Sequence, residues 1–268
     1  MPVSHVHEEP EPVEAGTAHG AELPGWLYFS MRALVRTIAR LYWRVEVDGA
    51  ENVPLRGPVI LCPVHRSFMD FLVAAQTTRR RLHYMAKDDL WSSEGFGRFL
   101  HSIGAFPVDR TGTDRKSMAR AQAVLDSGGA LVLFPEGTRR AGPVIEELHE
   151  GASFLAARTG ALIVPIGIGG TAEAMPKGSK FVRPVKVHVV VGKPLRPPAR
   201  STGGRVPRHQ VHELTEQLRA ELQRLYDEAQ SRSGAGGARR HRPGRRPPAP
   251  PTPTAPSPLP PDGGGSGR

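Results

Sequence analysis

Gly57-Pro58-Val59-Ile60-Leu61-Cys62-Pro63-Val64-His65-Arg66-Ser67-Phe68-Met69-Asp70-Phe71-Leu72 is the stretch from which the rest of the chain is read. It opens with a turn signal and a short, β-branched apolar run, which predicts a buried strand over residues 58–62. Further on, Ser67 is followed three residues later by Asp70 and then by Phe71, Leu72 and Val73, which predicts a helix over residues 67–79. His65 then lies in the connection at the carboxyl end of a strand, where open α/β sheets bind ligands. With Asp70 it makes an H-x-x-x-x-D pair. A neutral imidazole can take a proton from a hydroxyl near neutral pH if a carboxylate holds its other nitrogen and stabilises the imidazolium. Inside one continuous helix the two side chains would stand about 140° apart. They meet only if His65 precedes the helix and Asp70 occupies its first turn. The plain alternative is that Ser67 and Asp70 cap the helix and His65 is an ordinary loop histidine.

Outward from this stretch, apolar runs of strand length alternate with helical periodicities. Strands are predicted at 44–48, 58–62, 82–86, 104–108, 130–134, 161–167 and 185–191, and helices at about 67–79, 94–102, 114–127, 144–159 and 207–230. Such alternation predicts an α/β fold with a mostly parallel central sheet flanked by helices. In the last helix Leu214, Leu218, Leu222 and Leu225 form a narrow apolar seam. Residues 24–44 interleave Trp26, Leu27, Phe29, Leu34, Ile38 and Leu41 with Arg32, Arg36, Arg40 and Arg44 at four-residue spacing. Arginine at mid-bilayer costs about 2.5–3.5 kcal/mol each, so this is not a membrane span. The pattern predicts an N-terminal amphipathic membrane-contacting helix, its basic edge towards anionic lipid, or else a helix packed on the domain.

The chain of 268 residues is long enough for one domain of about 200 residues with tails. Residues 1–22 hold five Glu, no Lys or Arg and no apolar core, which predicts a disordered acidic segment rather than a secretory signal. Residues 231–268 are rich in Arg, Pro and Gly and predict a disordered tail, leaving 23–230 as the folded domain. The net charge of +10 is not a tail effect, because the first segment contributes −5, the tail +6 and the domain +9. Anionic substrates or anionic lipid surfaces are the natural partners. The tail lacks interleaved aromatics, so nucleic acid is not expected as the primary partner. The single cysteine, Cys62, lies in the apolar run, which rules out a disulfide framework and suits a reducing cytosolic compartment.

Three more stretches fall where predicted strands end. Residues 104–110 (GAFPVDR) end in Arg110. Residues 134–140 (FPEGTRR) hold Glu136, Gly137, Thr138, Arg139 and Arg140, and residues 164–171 (VPIGIGGT) close a third strand. Arginine matches a phosphate bidentately. Gly137 lets the backbone approach a ligand, and its N–H with that of Thr138 could join the donors. Glu136 could hold an arginine in place or accept from a substrate hydroxyl. One such turn would be a solvated surface loop. Several at one sheet edge beside His65 predict a phosphate-binding site.

In these residues the chain resembles the glycerolipid acyltransferases, the family of the 1-acylglycerol-3-phosphate acyltransferases. HRSFMD (65–70) matches that family's H-x-x-x-x-D motif, GAFPVDR its second motif, FPEGTRR its F-P-E-G-T-R motif and VPIGI (164–168) its last apolar motif. The likeness covers roughly residues 30–230. One departure is Val64, where the family often has Asn before the histidine; this leaves the acceptor preference open. The resemblance implies transfer of a fatty acyl group from an acyl thioester, acyl-CoA or acyl carrier protein, to the free hydroxyl of 1-acylglycerol-3-phosphate. The product would be phosphatidic acid in phospholipid biosynthesis. Glycerol-3-phosphate or another lysophospholipid is the alternative acceptor, and a lipid hydrolase the alternative activity.

Carried onto this sequence, the resemblance implies that His65 is the general base and Asp70 orients it. Arg110, Glu136, Gly137, Thr138 and Arg139 would bind the acceptor phosphate, and Pro165 would shape the base of the site or the acyl channel. It also implies direct attack with no covalent enzyme intermediate, no cofactor or metal beyond the donor thioester, and a peripheral place on the cytoplasmic face of the cell membrane. The residues agree on the nucleophile: residues 151–155 (GASFL) lack the second glycine of G-x-S-x-G, and there is no G-x-x-x-x-G-K-[ST] loop.

Overall fold

The structure, a computed structural model, describes residues 24–87, 105–108, 115–176, 178–179, 181–198 and 207–234. Three expectations lie outside the described residues: the disordered segment 1–22, the helix at 94–102 and the placement of Arg110. The tail beyond Gly234 lies outside them too. Among the described residues seven strands make one sheet: β1 (Glu46–Asp48), β2 (Val59–Pro63), β3 (Leu82–Lys87), β4 (Ala105–Val108), β5 (Ala130–Val132), β6 (Leu162–Gly169) and β7 (His188–Val191). Their order is β1-β7-β6-β2-β5-β3-β4, and every pairing is parallel except β6 with β7. The helices are α1 (Gly25–Tyr42), α2 (Asp70–Ala74), α3 (Arg115–Asp126), α4 (Gly151–Thr159), α5 (Thr171–Ala174) and α6 (Arg208–Ser233). The mostly parallel sheet flanked by helices is as expected.

β2 is central because it is apolar throughout. All five of its residues are buried between β5 and β6, as a strand covered on both faces requires. Pro63 is tolerated there because β5 pairs only as far as Leu61. The next amide, of Val64, continues the ladder to the Ile166 carbonyl on β6 at 3.0 Å, so the missing Pro63 N–H would have pointed to the side β5 has already left. Leu214, Leu218, Leu222 and Leu225 are all buried, so the seam on α6 is a core seam. α6 lies directly on β6 at Gly167 and Gly169, where an added Cβ would come within 2.2 Å of the Leu225 carbonyl oxygen and 2.3 Å of the Ala229 one. These glycines are there for helix packing.

Four expectations are corrected. The helix expected over 144–159 begins only at Gly151. Residues 144–150 form a strap instead, with Ile145 and Leu148 buried beneath it. Distant groups take its backbone: Arg66 Nη2 donates to the Val144 carbonyl at 3.1 Å, Gln223 Oε1 accepts from the Ile145 N–H at 2.7 Å, and the His149 N–H donates to the Pro135 carbonyl at 2.9 Å. The helix expected over 67–79 is the short α2 followed by a tighter turn over Ala75–Thr77. The tail does not begin at residue 231, because α6 runs to Ser233 and ends on Gly234 in the left-handed conformation, the usual glycine stop.

The fourth correction concerns the basic stripe on α1. Arg32 is turned inward and donates to the carbonyls of Ala75, Thr78 and Arg80, while Arg44 lies past the helix at φ 46°. Arg36 and Arg40 remain on the flank. Beside them the outer face carries Trp26 at 71% exposure, Leu34 at 60% and Leu41 at 77%. Among the described residues no helix is long and apolar enough to cross a membrane.

Candidate active site

The chain leaves β2 at Pro63 and makes a turn before α2, so His65 precedes the helix and Asp70 opens it. The two side chains meet: His65 Nδ1 lies 3.2 Å from Asp70 Oδ2. The same oxygen accepts the backbone N–H groups of Arg66 and Ser67, each at 2.6 Å. The carboxylate thus holds the turn at Arg66 and Ser67 as well as His65, but the Ser67–Asp70 helix cap read from the sequence is not formed, since α2 starts from Met69 with no side-chain cap bond. Because Asp70 is an acceptor, Nδ1 carries the hydrogen and Nε2 presents its lone pair. Asp70 is fully buried, and the His65 side chain is 18% exposed, enough for one edge of the ring to be reached.

His65 is held at every other point. Its ring stacks on Phe134 with centroids 4.2 Å apart. Its backbone N–H donates to Glu136 Oε1 at 2.8 Å, and its carbonyl accepts the Arg140 N–H at 2.9 Å. The other Glu136 oxygen accepts from Arg66 in an ion pair buried on both sides. The Arg66 guanidinium also lies 5.0 Å over the Tyr226 ring. The F-P-E-G-T-R turn after β5 is thus bound to the H-x-x-x-x-D turn after β2 by backbone and side chain together. Charges buried this deeply are costly unless paired; Glu136 and the two Arg66 Nη groups are bonded, while among the described residues Arg66 Nε has no hydrogen-bond partner.

This packing corrects the expectation for the turn's amide donors. The Gly137 N–H is spent on the Phe134 carbonyl at 3.0 Å and the Thr138 N–H on the Glu136 carbonyl at 2.8 Å, so neither joins an anion-binding donor set. Gly137 is needed for shape: its φ is 68°, and a Cβ there would meet the His149 ring at 2.6 Å. Of the two roles open for Glu136, it takes that of holding an arginine, Arg66. Thr138 and Arg139 point out and are exposed, and among the described residues Arg139 has no ion-pair partner. Arg140 reaches Glu146 at 3.0 Å. β4, which leads towards Arg110, emerges at the same sheet edge with β5 and β3 between it and β2.

Pro165 is buried in β6 in register with Cys62. Cys62 is fully buried, and burial pushes its thiol up out of nucleophilic reach. Ser153 is also fully buried and accepts from Thr215 at 2.8 Å. Among the described residues no group of His, Cys, Asp and Glu could hold a metal ion. Sequence reasoning missed Arg66, Tyr226 and Thr171. Thr171 donates to Asp70 Oδ1 at 2.7 Å. Arg66 had a faint signal, its place between the histidine and Ser67; Thr171 stands last in the strand-end stretch 164–171, where no role was read for it, and Tyr226 had no signal.

A family model described as Acyltransferase matches residues 44–169. The chain is 29% identical over 162 residues to the 1-acyl-sn-glycerol-3-phosphate acyltransferase of Bacillus subtilis, covering 60% of this chain and 78% of that one. It is 30% identical over 198 residues to the alpha form of the mouse enzyme of the same name, covering 72% and 67%. Against the chloroplastic enzyme of Arabidopsis thaliana it is 28% identical over 160 residues, which is 58% of this chain but only 44% of that longer one. The fold is similar to the crystal structure of the 1-acyl-sn-glycerophosphate acyltransferase of Thermotoga maritima, with a TM-score of 0.61 at 22% identity over 75% of this chain and 80% of that one.

Proposed function

The chain belongs to the acyltransferase family of the 1-acyl-sn-glycerol-3-phosphate acyltransferases, and on that premise we propose that it acylates 1-acylglycerol-3-phosphate to phosphatidic acid. The observation that carries the reading is the contact of His65 with the buried Asp70 on one turn, tied through the His65 carbonyl to the turn that bears Arg139. His65 Nε2 takes the proton of the acceptor's free hydroxyl as that oxygen attacks the thioester carbonyl. The new C–O bond forms, the C–S bond breaks, and the imidazolium returns the proton to the departing thiolate. Asp70 stabilises the imidazolium in between. Arg139, with Arg110, binds the acceptor phosphate, and Thr138 lines the same approach. Glu136 and Gly137 support that turn from below rather than touching the phosphate.

The acyl donor is an acyl thioester, acyl-CoA or acyl carrier protein. Acceptor and product partition into bilayers, so the enzyme works at the cytoplasmic membrane face, peripherally. Support comes from the exposed Trp26, Leu34 and Leu41 on α1, flanked by Arg36 and Arg40.

The test is an acyl-CoA assay on the purified full chain with lysophosphatidate, glycerol-3-phosphate, other lysophospholipids or no acceptor. Phosphatidic acid formed only with lysophosphatidate is the expected result. Free fatty acid released at equal rate without acceptor would make the protein a hydrolase, and preference for another acceptor would overturn the substrate assignment.

A further inference from the structure

Asp70 has two oxygens, and they are held from different parts of the chain. Oδ2 takes three donors, all from the turn that carries the dyad: His65 Nδ1 at 3.2 Å and the Arg66 and Ser67 amides at 2.6 Å each. Oδ1 takes the Thr171 hydroxyl at 2.7 Å, from a residue 101 positions away. Both side chains are fully buried.

The terminal torsion of an aspartate is soft, so a carboxylate is free to swing unless both oxygens are held. If Oδ1 lost its donor, the carboxylate would turn to share the donors it has. Of those, the two amide bonds are short and charge-assisted, while the bond to Nδ1 is the longest of the four. The loss would therefore fall on His65.

The chain invests in placing this hydroxyl. Gly170 stands at φ 88°, and a Cβ there would come 2.3 Å from the Lys186 carbonyl oxygen, so only glycine makes the turn that ends β6. The Gly170 N–H is fixed on Gln230 Oε1 at 2.8 Å. The far end of α5 is clipped to the dyad turn as well, since Ser67 Oγ donates to the Met175 carbonyl at 3.0 Å. The segment after β6 is thus fastened to the Ser67–Asp70 turn at two points, with Thr171 at the charged one.

We propose that Thr171 is a positioning residue for proton transfer, its hydroxyl holding Oδ1 of Asp70 so that Oδ2 stays aimed at Nδ1 of His65. The proposal rests on the reading of His65 as the general base. Among the described residues, the charged groups on the elements that hold this carboxylate are His65, Arg66 with its partner Glu136, and Glu173 on α5.

The test compares Thr171→Val, which keeps the shape and removes the hydroxyl, with Thr171→Ser, which keeps the hydroxyl. Thermal unfolding of each variant confirms the fold. Thr171→Val should lower kcat between about 10- and 100-fold, the cost of an unsatisfied buried acceptor, with acceptor KM within about twofold. Thr171→Ser should return kcat to within a few-fold of the parent. Parental kcat in Thr171→Val would overturn the proposal, as would equal losses in Val and Ser variants or a loss confined to KM. If Thr171→Val does not fold, Thr171→Ala sets no methyl against Oδ1 and gives the same contrast with Ser. His65→Ala run in parallel separates the two readings. Retained turnover there defeats the base assignment, whereas an inactive His65→Ala beside a fully active Thr171→Val defeats only the role of Thr171.

Discussion

The two sides of the active site are built in opposite ways. On the base side, Asp70, Arg66 and Glu136 are buried and bonded to one another or to the His65 backbone. On the acceptor side, Thr138 and Arg139 stand in solvent, and the amides beneath them are turned inward. On the proposed function the difference matches the two tasks. Proton transfer needs fixed geometry, whereas a phosphate carries its own charge and reach and can be met by an exposed guanidinium.

The largest expected effect sharpens the base side. His65→Ala should reduce turnover at least about 100-fold without unfolding the chain, and Asp70→Asn should be comparably severe because an amide does not stabilise the imidazolium. Near-normal turnover in a folded His65→Ala protein would remove the distinction between the two sides.

Glu136 tests where the boundary runs. If it belongs to the base side, Glu136→Ala leaves Arg66 buried and unpaired and should cost about 3–5 kcal/mol of stability, read as a fall in Tm. A folded, fully stable Glu136→Ala protein with a raised acceptor KM would return Glu136 to the phosphate.

Arg139→Ala probes the exposed side. It should raise acceptor KM by about tenfold with kcat nearly kept, since the phosphate is bound alike in ground and transition states. A fall in kcat at unchanged KM would show that Arg139 acts in the chemistry.

The smallest effect is expected furthest from the chemistry. Each arginine near an anionic bilayer adds about 1 kcal/mol of attraction, so Arg36→Glu with Arg40→Glu should weaken co-sedimentation with anionic vesicles. Activity on vesicle-borne acceptor should fall more than activity on a short-chain soluble analogue. Arg32 is left out because its guanidinium holds the carbonyls after α2, and changing it would disturb the base side instead. Equal losses on both substrates would make α1 a structural helix alone.

Sequence alone carried everything that local pattern encodes. The apolar run over residues 58–62 and the turn at His65 are short-range features, and they put His65 ahead of the helix with Asp70 in its first turn, although the helix opens at Asp70 rather than at Ser67. The seam of Leu214, Leu218, Leu222 and Leu225 is likewise a periodicity, and it is the buried face of α6. Pattern misled where distant side chains take over the backbone. Val144, Ile145 and Leu148 have helical spacing, yet Arg66 and Gln223 hold that segment as a strap. Arg32 has the spacing of a lipid-facing stripe, yet three carbonyls of the turn after α2 draw it inward. Only the tertiary structure decided that Glu136 serves Arg66, that Gly167 and Gly169 serve α6, and that Asp70's second oxygen belongs to Thr171. A buried acceptor must find a donor wherever the folded chain brings one near, and the order of residues does not say which hydroxyl that will be.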